Sequence, residues 1–388
     1  MNELSSRIAA TARSLFRSRG YVATVIATLA IGIGASTSIF SILHGTVLQP
    51  LPYPQPDRLI RIRDRYVPTG GSGTLSVPNF LDLKSEVRTL EEFVAFNVGS
   101  VNLATEGAPV RTRSLRVTGN FFVGLGVAPV VGRGFQEGED REGAVRVAVI
   151  SQRLWQERFG GRREALGQTL MVNAEPHTIV GVMPASFWFP GDPQLIVPYA
   201  WSESDLTENR GNRWLEGFGR LAAGISEPAA RAELQTIFGR LEDEYPESND
   251  GWTVETYSIR EWMLGYNRTS LWLLSGAVIL VLLIGCVNVA NLMLVRAERR
   301  QREIAVRAAL GAGRARIIWL YLSESLSLAL VASAVGVAIA WGATRVLLLL
   351  FGGTLPRANQ VGLGPPVVAF AVGLALFTGL LVGLVPAL

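Results

Sequence analysis

Four apolar stretches constrain this chain more than anything else in it. Each is long enough to cross a bilayer as a helix, which takes about 20 residues. The first runs from Tyr21 to Leu48 with no formal charge inside it. The second runs from Leu271 to Val295. The third, Ile317 to Phe351, has Glu324 as its only acid and Arg345 near its far end. The fourth follows Pro365 and Pro366 and continues to Leu388. A segment in hydrocarbon must satisfy its backbone polar groups internally, so each stretch is read as a helix. The first is too long for the apolar core of a cleaved signal peptide, about 7–15 residues, and no A-x-A-like site follows it. A retained anchor is expected.

Composition agrees and excludes several functions. Only 18% of the 388 residues are charged, against about a quarter in a soluble domain. The mean hydropathy is +0.29. Lys84 is the sole lysine and follows Leu83, so the Gly-Lys-Ser/Thr of a nucleotide-binding P-loop is absent. The net charge of +4 rests on arginines that flank apolar runs. They form no aromatic-studded groove, so no nucleic-acid partner is expected. Cys286 is the lone cysteine and cannot make an intrachain disulfide. His44 and His177 lie far apart, and HExxH, CxxC and GxSxG are missing. No catalytic residue, metal or cofactor is expected.

Arginine placement sets the expected topology. Arg7, Arg13, Arg17 and Arg19 precede the first span, and seven arginines crowd into residues 296–317, between the second and third. Cytoplasmic flanks are enriched in Lys and Arg. The segments then read as 1–20 cytoplasmic, 21–48 first span, 49–270 outside, 271–295 second span, 296–316 cytoplasmic, 317–351 third span, 352–364 outer loop and 365–388 fourth span. The expected location is the inner (plasma) membrane, multi-pass, with a cytoplasmic N-terminus.

The region 49–270 has ordinary globular sequence, about 220 residues, long enough to bury a core. LIRIRDRY (Leu59–Tyr66) and Arg111–Val117 alternate like strands, and PTGGSGT, from Pro68, reads as a flexible loop. Asn79–Phe93 has helical spacing. VAVIS (Val147–Ser151) reads as a buried strand followed by the helix RLWQERFG. Gln168–Val172 and His177–Val182 form an expected hairpin across Asn173-Ala-Glu-Pro. Glu227–Glu244 is an amphipathic helix with Ala230, Leu234, Ile237, Phe238 and Leu241 on one face. Trp252–Ser258 is another strand. The mixture predicts α+β layers. Trp155, Phe187, Trp188 and Trp214 are expected in the core or at its rim.

Several runs resemble MacB/FtsX-type ABC transporter permeases, nearest to their duplicated orphan branch. They are GIGASTSIFSILHGTVLQPLPYPQPDRLIRI from Gly32, VTGNFFVGLGVAPVVGRGF from Val117, VAVISQRLWQERFGG from Val147, and CVNVANLMLVRAERRQREIAVRAALGAGRARIIWLYLSESLSLAL from Cys286. The resemblance covers essentially the whole chain. It implies an α+β membrane protein of four helices, with a porter-like subdomain outside and a smaller inserted one near residues 143–205. It implies a homodimer or a related permease half, a cytoplasmic ABC ATPase, and an extracytoplasmic adaptor. Family members continue past the fourth span with a basic tail or a second copy. This sequence stops at VPAL, so a fragment or an incomplete product is expected.

The arginine-rich stretch reads as an amphipathic cytoplasmic helix. Glu298 with Arg302 and Glu303 with Arg307 are i,i+4 pairs in the favourable order. Gly311 and Gly313 supply a stop and a turn. Positive-inside topology, plus attraction to anionic membrane lipid of about 1 kcal/mol per Arg, accounts for the charge. It does not account for the small-residue core EIAVRAALGAG, from Glu303. In the resembling family this segment is the coupling helix that docks on the ATPase. Glu303, Ile304, Arg307, Leu310 and Gly311 are the expected contacts.

Within the membrane, Glu324 is either a functional acid or a group that reaches the headgroups or pairs with an arginine. Asn288 and Asn291 are candidates for hydrogen bonds between helices. Ala332, Gly336 and Ala340, and Ala375, Gly379 and Gly383, form small-residue stripes that permit close packing. The expected function is a non-catalytic permease subunit that transmits ATPase-driven motion to an outside domain, for export of lipophilic drugs, peptides or lipoproteins. The alternative is an FtsX-like signalling subunit that regulates an extracytoplasmic enzyme.

Overall fold

The computed structural model describes residues 19–104, 109–207, 209–299, 314–351 and 361–384. The chain divides into two compact units. Pro50–Tyr266 form a globular unit, and the segments through Gln49 and from Asn267 form a helical one.

In chain order, helix α1 (Arg19–Leu43) comes first and ends in a π-helical turn, His44–Leu48. The globular unit follows with β1 (Leu59–Tyr66), β2 (Gly71–Ser72), α2 (Val77–Glu86), β3 (Leu90–Ala104), β4 (Val110–Val117), α3 (Phe121–Leu125), β5 (Val131–Gly132), β6 (Val147–Ile150) and α4 (Gln152–Phe159). Next come β7 (Thr169–Val172), β8 (Glu175–Val182), β9 (Leu195–Pro198), β10 (Glu216–Leu221), α5 (Glu227–Glu244) and β11 (Trp252–Ser258). Helices α6 (Ile259–Arg299), α7 (Arg314–Phe351) and α8 (Pro365–Leu384) complete the chain.

The globular unit is built on one mixed sheet in the order β11-β1-β10-β3-β4-β9-β6-β8-β5. β4 with β9 and β6 with β8 are parallel, and the other pairs along this path are antiparallel. Strand alternation sends successive side chains to opposite faces, and here both faces are covered. Ile60, Ile62, Phe93 and Ala95 pack with Phe80 of α2 and Leu234 and Phe238 of α5. Leu59, Val94, Phe96 and Phe218 face the other way, with Phe121, Phe122 and Phe189. A separate cluster joins Ala148, Ile150, Leu154, Leu170, Ile179 and Leu195 to Val101 and Leu103 of β3.

Three local expectations change. Asn79–Phe93 is not one helix. Leu83, Val87, Leu90 and Val94 mimic helical spacing, but α2 ends at Glu86 and β3 begins at Leu90. A tertiary contact accounts for the break: the Glu233 carboxylate of α5 accepts from the amides of Arg88 and Thr89, at 3.1 and 2.9 Å. The loop from Pro68 contributes β2, which pairs with β1. The β7–β8 hairpin turns on two residues, because Val172 already pairs with Glu175. Asn173 and Ala174 both have positive φ, 50° and 67°, the signature of a type I′ turn. The Asn173 carboxamide also accepts from the Asn102 amide at 2.8 Å.

Two charged side chains, Arg61 and Asp64, are buried where the β1 sequence reads as simple alternation. Arg61 pairs with Glu216 and lies over the rings of Phe96 and Trp262, at 5.1 and 4.7 Å. Burial lowers its pKa to about 10, which leaves it charged at neutral pH. On the other face, fully buried Asp64 accepts from Arg213 Nε at 2.9 Å. Arg213 also donates to Ser248 O and Asn249 Oδ1, and it stacks over Trp252 at 4.2 Å.

Breaking a buried pair strands a charge and costs about 3–5 kcal/mol, so Asp64→Ala should lower the unfolding midpoint of the globular unit strongly in thermal scans followed by tryptophan fluorescence. Burial also pushes the Asp64 carboxyl up to about 7, against the pull of Arg213. An unfolded aspartate titrates near ~3.9, so between these values the folded chain holds the extra proton. Wild type should therefore lose stability relative to Asp64→Asn as pH rises from about 4 toward 7, with no further change above. A pH-independent difference would refute this. Ala174→Gly should raise stability by roughly 0.5–1 kcal/mol, since glycine relieves the left-handed strain; denaturant unfolding measures it.

Candidate functional site: the charged end of the helical unit

Among the described residues, four helices are long and apolar enough to cross a membrane: Arg19–Leu48, Trp272–Glu298, Tyr321–Leu350 and Pro365–Leu384. They are held together by backbone approach at small residues. A Cβ on Gly34 would sit 2.9 Å from the Gly336 carbonyl oxygen, so α1 and α7 meet closely there. A Cβ on Gly379 would meet Leu326, and one on Gly383 would meet Ser325, where α8 crosses α7. Ala332, Ala340 and Ala375 are fully buried. The two small-residue stripes thus meet partners within this chain: Gly336 against α1, and Gly379 and Gly383 against α7. Some buried hydroxyls turn to carbonyls of the helices. Ser38 Oγ donates to Gly34 O at 2.9 Å, and Ser333 Oγ to Ala371 O at 3.3 Å.

Near residues 296–317 the bundle becomes ionic. Arg296, close to the end of α6, donates to Glu324 of α7, Nη1 to Oε1, at 2.6 Å. The Arg296 guanidinium lies over the Tyr21 ring of α1 at 4.5 Å. Glu324 is 5% exposed. One cation thus ties three helices together where the chain nears the arginine-rich stretch. Glu324 thus has an arginine partner. Sequence reasoning missed the Tyr21 contact; its only signal was an aromatic and an arginine at the margins of neighbouring spans.

Asn288 and Asn291 sit elsewhere. Both are exposed on α6, and among the described residues neither makes a hydrogen bond between helices. Asn291 continues a stripe of exposed apolar residues, Leu280, Ile284 and Val287. Glu303, Ile304, Arg307, Leu310 and Gly311 lie outside the described residues. Among those described, no group of three His, Cys, Asp or Glu side chains could hold a metal, and Cys286 is buried. The arrangement suits clamping of helix ends.

Replacing Arg296 by Leu removes the guanidinium from a buried carboxylate. The thermal midpoint of the detergent-extracted chain should fall, and Arg296→Leu with Glu324→Leu should recover most of the loss. Fluorescence-detected size-exclusion chromatography after heating reads both. An equal loss in the double variant would show that the pair is not the stabilising unit.

Comparison with known proteins agrees with this architecture. Residues 22–237 match the MacB-like periplasmic core domain, and residues 275–388 match the FtsX-like permease C-terminal region. The chain is 30% identical over 265 residues to the pyoverdine export ATP-binding/permease protein PvdT of Pseudomonas savastanoi pv. phaseolicola, covering 67% of this chain and 38% of that one. It is 26% identical over 372 residues to the macrolide export ATP-binding/permease protein MacB of Rhodospirillum rubrum, covering 94% and 54%. The chain therefore spans about two fifths to about half of the length of these relatives. Among solved structures, the periplasmic region of MacB from Actinobacillus actinomycetemcomitans is 13% identical, with a TM-score of 0.39, covering 55% of this chain and 91% of that one. A permease domain from Porphyromonas gingivalis is 16% identical, with a TM-score of 0.42, covering 53% and 93%. The chain is a multi-pass membrane protein that belongs to the MacB-like, FtsX-like family of ABC transporter permeases.

Proposed function

We propose that this chain is the permease subunit of an ABC-type export system and passes ATPase-driven motion to its globular unit outside the membrane. The observation that carries the reading is the arginine-rich stretch, residues 296–317. It lies between the long apolar helices α6 and α7, and the Arg296–Glu324 pair ties those helices at its border. Arginine density on this stretch and before α1 supports a cytoplasmic N-terminus.

In this reading the motor is a separate cytoplasmic ABC ATPase. Glu303, Ile304, Arg307, Leu310 and Gly311 form the docking contact. Helix α6, Ile259–Arg299, precedes the arginine-rich stretch and receives the push in this reading. Its exposed stripe with Asn288 and Asn291 faces membrane lipid or a second permease copy. No substrate need cross between these helices. Capture happens at the outer unit, with an extracytoplasmic adaptor alongside. The names of the relatives, pyoverdine and macrolide export, favour export of a lipophilic drug, peptide or lipoprotein over signalling.

Affinity capture from native membranes, with mass spectrometry of what comes along, tests this. An ABC ATPase should be recovered repeatedly and lost when Ile304 and Leu310 become Asp. Absence of any ATPase under gentle detergent would sink the reading and leave topology as the role of the arginines. Recovery of a dedicated extracytoplasmic hydrolase would turn it toward FtsX-like signalling.

A further inference from the structure

The globular unit contains a groove of about 290 Å³ where β4 and β9 meet the β7–β8 hairpin. Its floor is aromatic. Tyr199 and Trp201 stack at 4.2 Å between centroids with 22° between planes, and Trp214 meets Tyr199 edge-on at 6.0 Å. Tyr199 is buried, and its hydroxyl has no hydrogen-bond partner among the described residues. Trp201 and Trp214 are half-buried.

The charges around this floor are unbalanced in their engagement. Each acid of the lining already has a partner. Glu139 is held by Arg133 at 2.6 Å, Glu175 by Arg146 at 2.9 Å, and Asp205 by the Ser202 amide and hydroxyl at 2.9 and 2.7 Å. Arg116 and Arg141 also line the groove, are exposed, and have no carboxylate partner among the described residues. His177 adds no charge near neutral pH, because burial holds its imidazole below the ordinary value. The aromatic trio closes one end of a core cluster, which accounts for the burial of Tyr199. Core packing does not account for two indoles left half-open beside two unengaged guanidiniums.

We propose that this groove binds a small organic anion carrying a planar ring, with its acid group on Arg116 and Arg141 and its ring on Trp201. Guanidinium matches a planar carboxylate or sulfonate through paired N–H donors. A ring prefers the offset face of an indole. The volume sits near the lower end of ligand sites, roughly 300–1,000 Å³, which limits the ligand to one or two fused rings. As a cargo site the groove rests on the export reading, but binding itself needs no motor.

The test is isothermal titration calorimetry of the purified full chain in detergent, with 2-naphthoate as the probe. Saturable one-site binding is expected. Arg116→Ala with Arg141→Ala should weaken it by about tenfold or more, and it should weaken as salt rises from about 50 to about 500 mM. Trp201→Ala should weaken it, and Trp201→Phe should keep most of the affinity. The uncharged 2-naphthamide should bind far less well. Absence of saturable heat overturns the proposal. So does equal binding in every variant, which would mean partition into detergent. ATPase recovery with the same variants keeps the two readings apart: capture with no binding defeats the groove alone, and binding with no capture defeats the motor alone.

Discussion

A carboxylate inside hydrocarbon must bring its own counterion, and much of the helical unit follows from how Glu324 meets that demand. An isolated charge there would cost several kcal/mol. Arg296 removes the problem and brings a second benefit, because its guanidinium also covers Tyr21. Farther along α7, Arg345 lies over the Trp341 ring of its own helix. Close backbone approach at Gly34, Gly336, Gly379 and Gly383 takes over. In an apolar solvent, packing and a few hydrogen bonds are what distinguish one helix neighbour from another.

The globular unit solves a similar problem in a different medium. Asp64 and Arg61 sit on opposite faces of one strand, and both are buried. Each has a charged partner, and each lies where a hydrophobic residue would satisfy the sheet pattern. Arg213 shares its donors among Asp64, Ser248 and Asn249. It ties β1 to the loop before β11 and so fixes the chain on both sides of α5. Replacing such a network by apolar groups would leave several carbonyl and amide groups without partners.

Long periodic segments were legible in the sequence. The four apolar helices needed only length and the absence of charge, and α5 showed its buried face at helical spacing: Ala230, Leu234, Ile237, Phe238 and Leu241. Errors arose where distant residues decide local structure. The spacing of Leu83, Val87, Leu90 and Val94 cannot reveal that Glu233 will seize the amides of Arg88 and Thr89. The two-residue turn at Asn173 and Ala174 lacks the glycine that would have announced it. The groove was invisible for the same reason: the parallel pairing of β4 with β9 brings Arg116 toward Tyr199, and a separate bridge brings Arg141 to Trp201. The coupling residues rest on the sequence alone.

Strand β3 belongs to two cores at once. Phe93 through Phe96 pack in the helix-covered half of the sheet, while Val101 and Leu103 complete the cluster of β6 to β9. At 15 residues it is nearly three times the usual strand length, about 5–6. A shared beam of this kind denies either half an independent melting transition. Losing the second cluster would strip apolar cover from a strand that the first still needs. The globular unit should therefore unfold as one cooperative body. It should also fold slowly, since β10 must return across more than a hundred residues of chain to pair with β1 and β3.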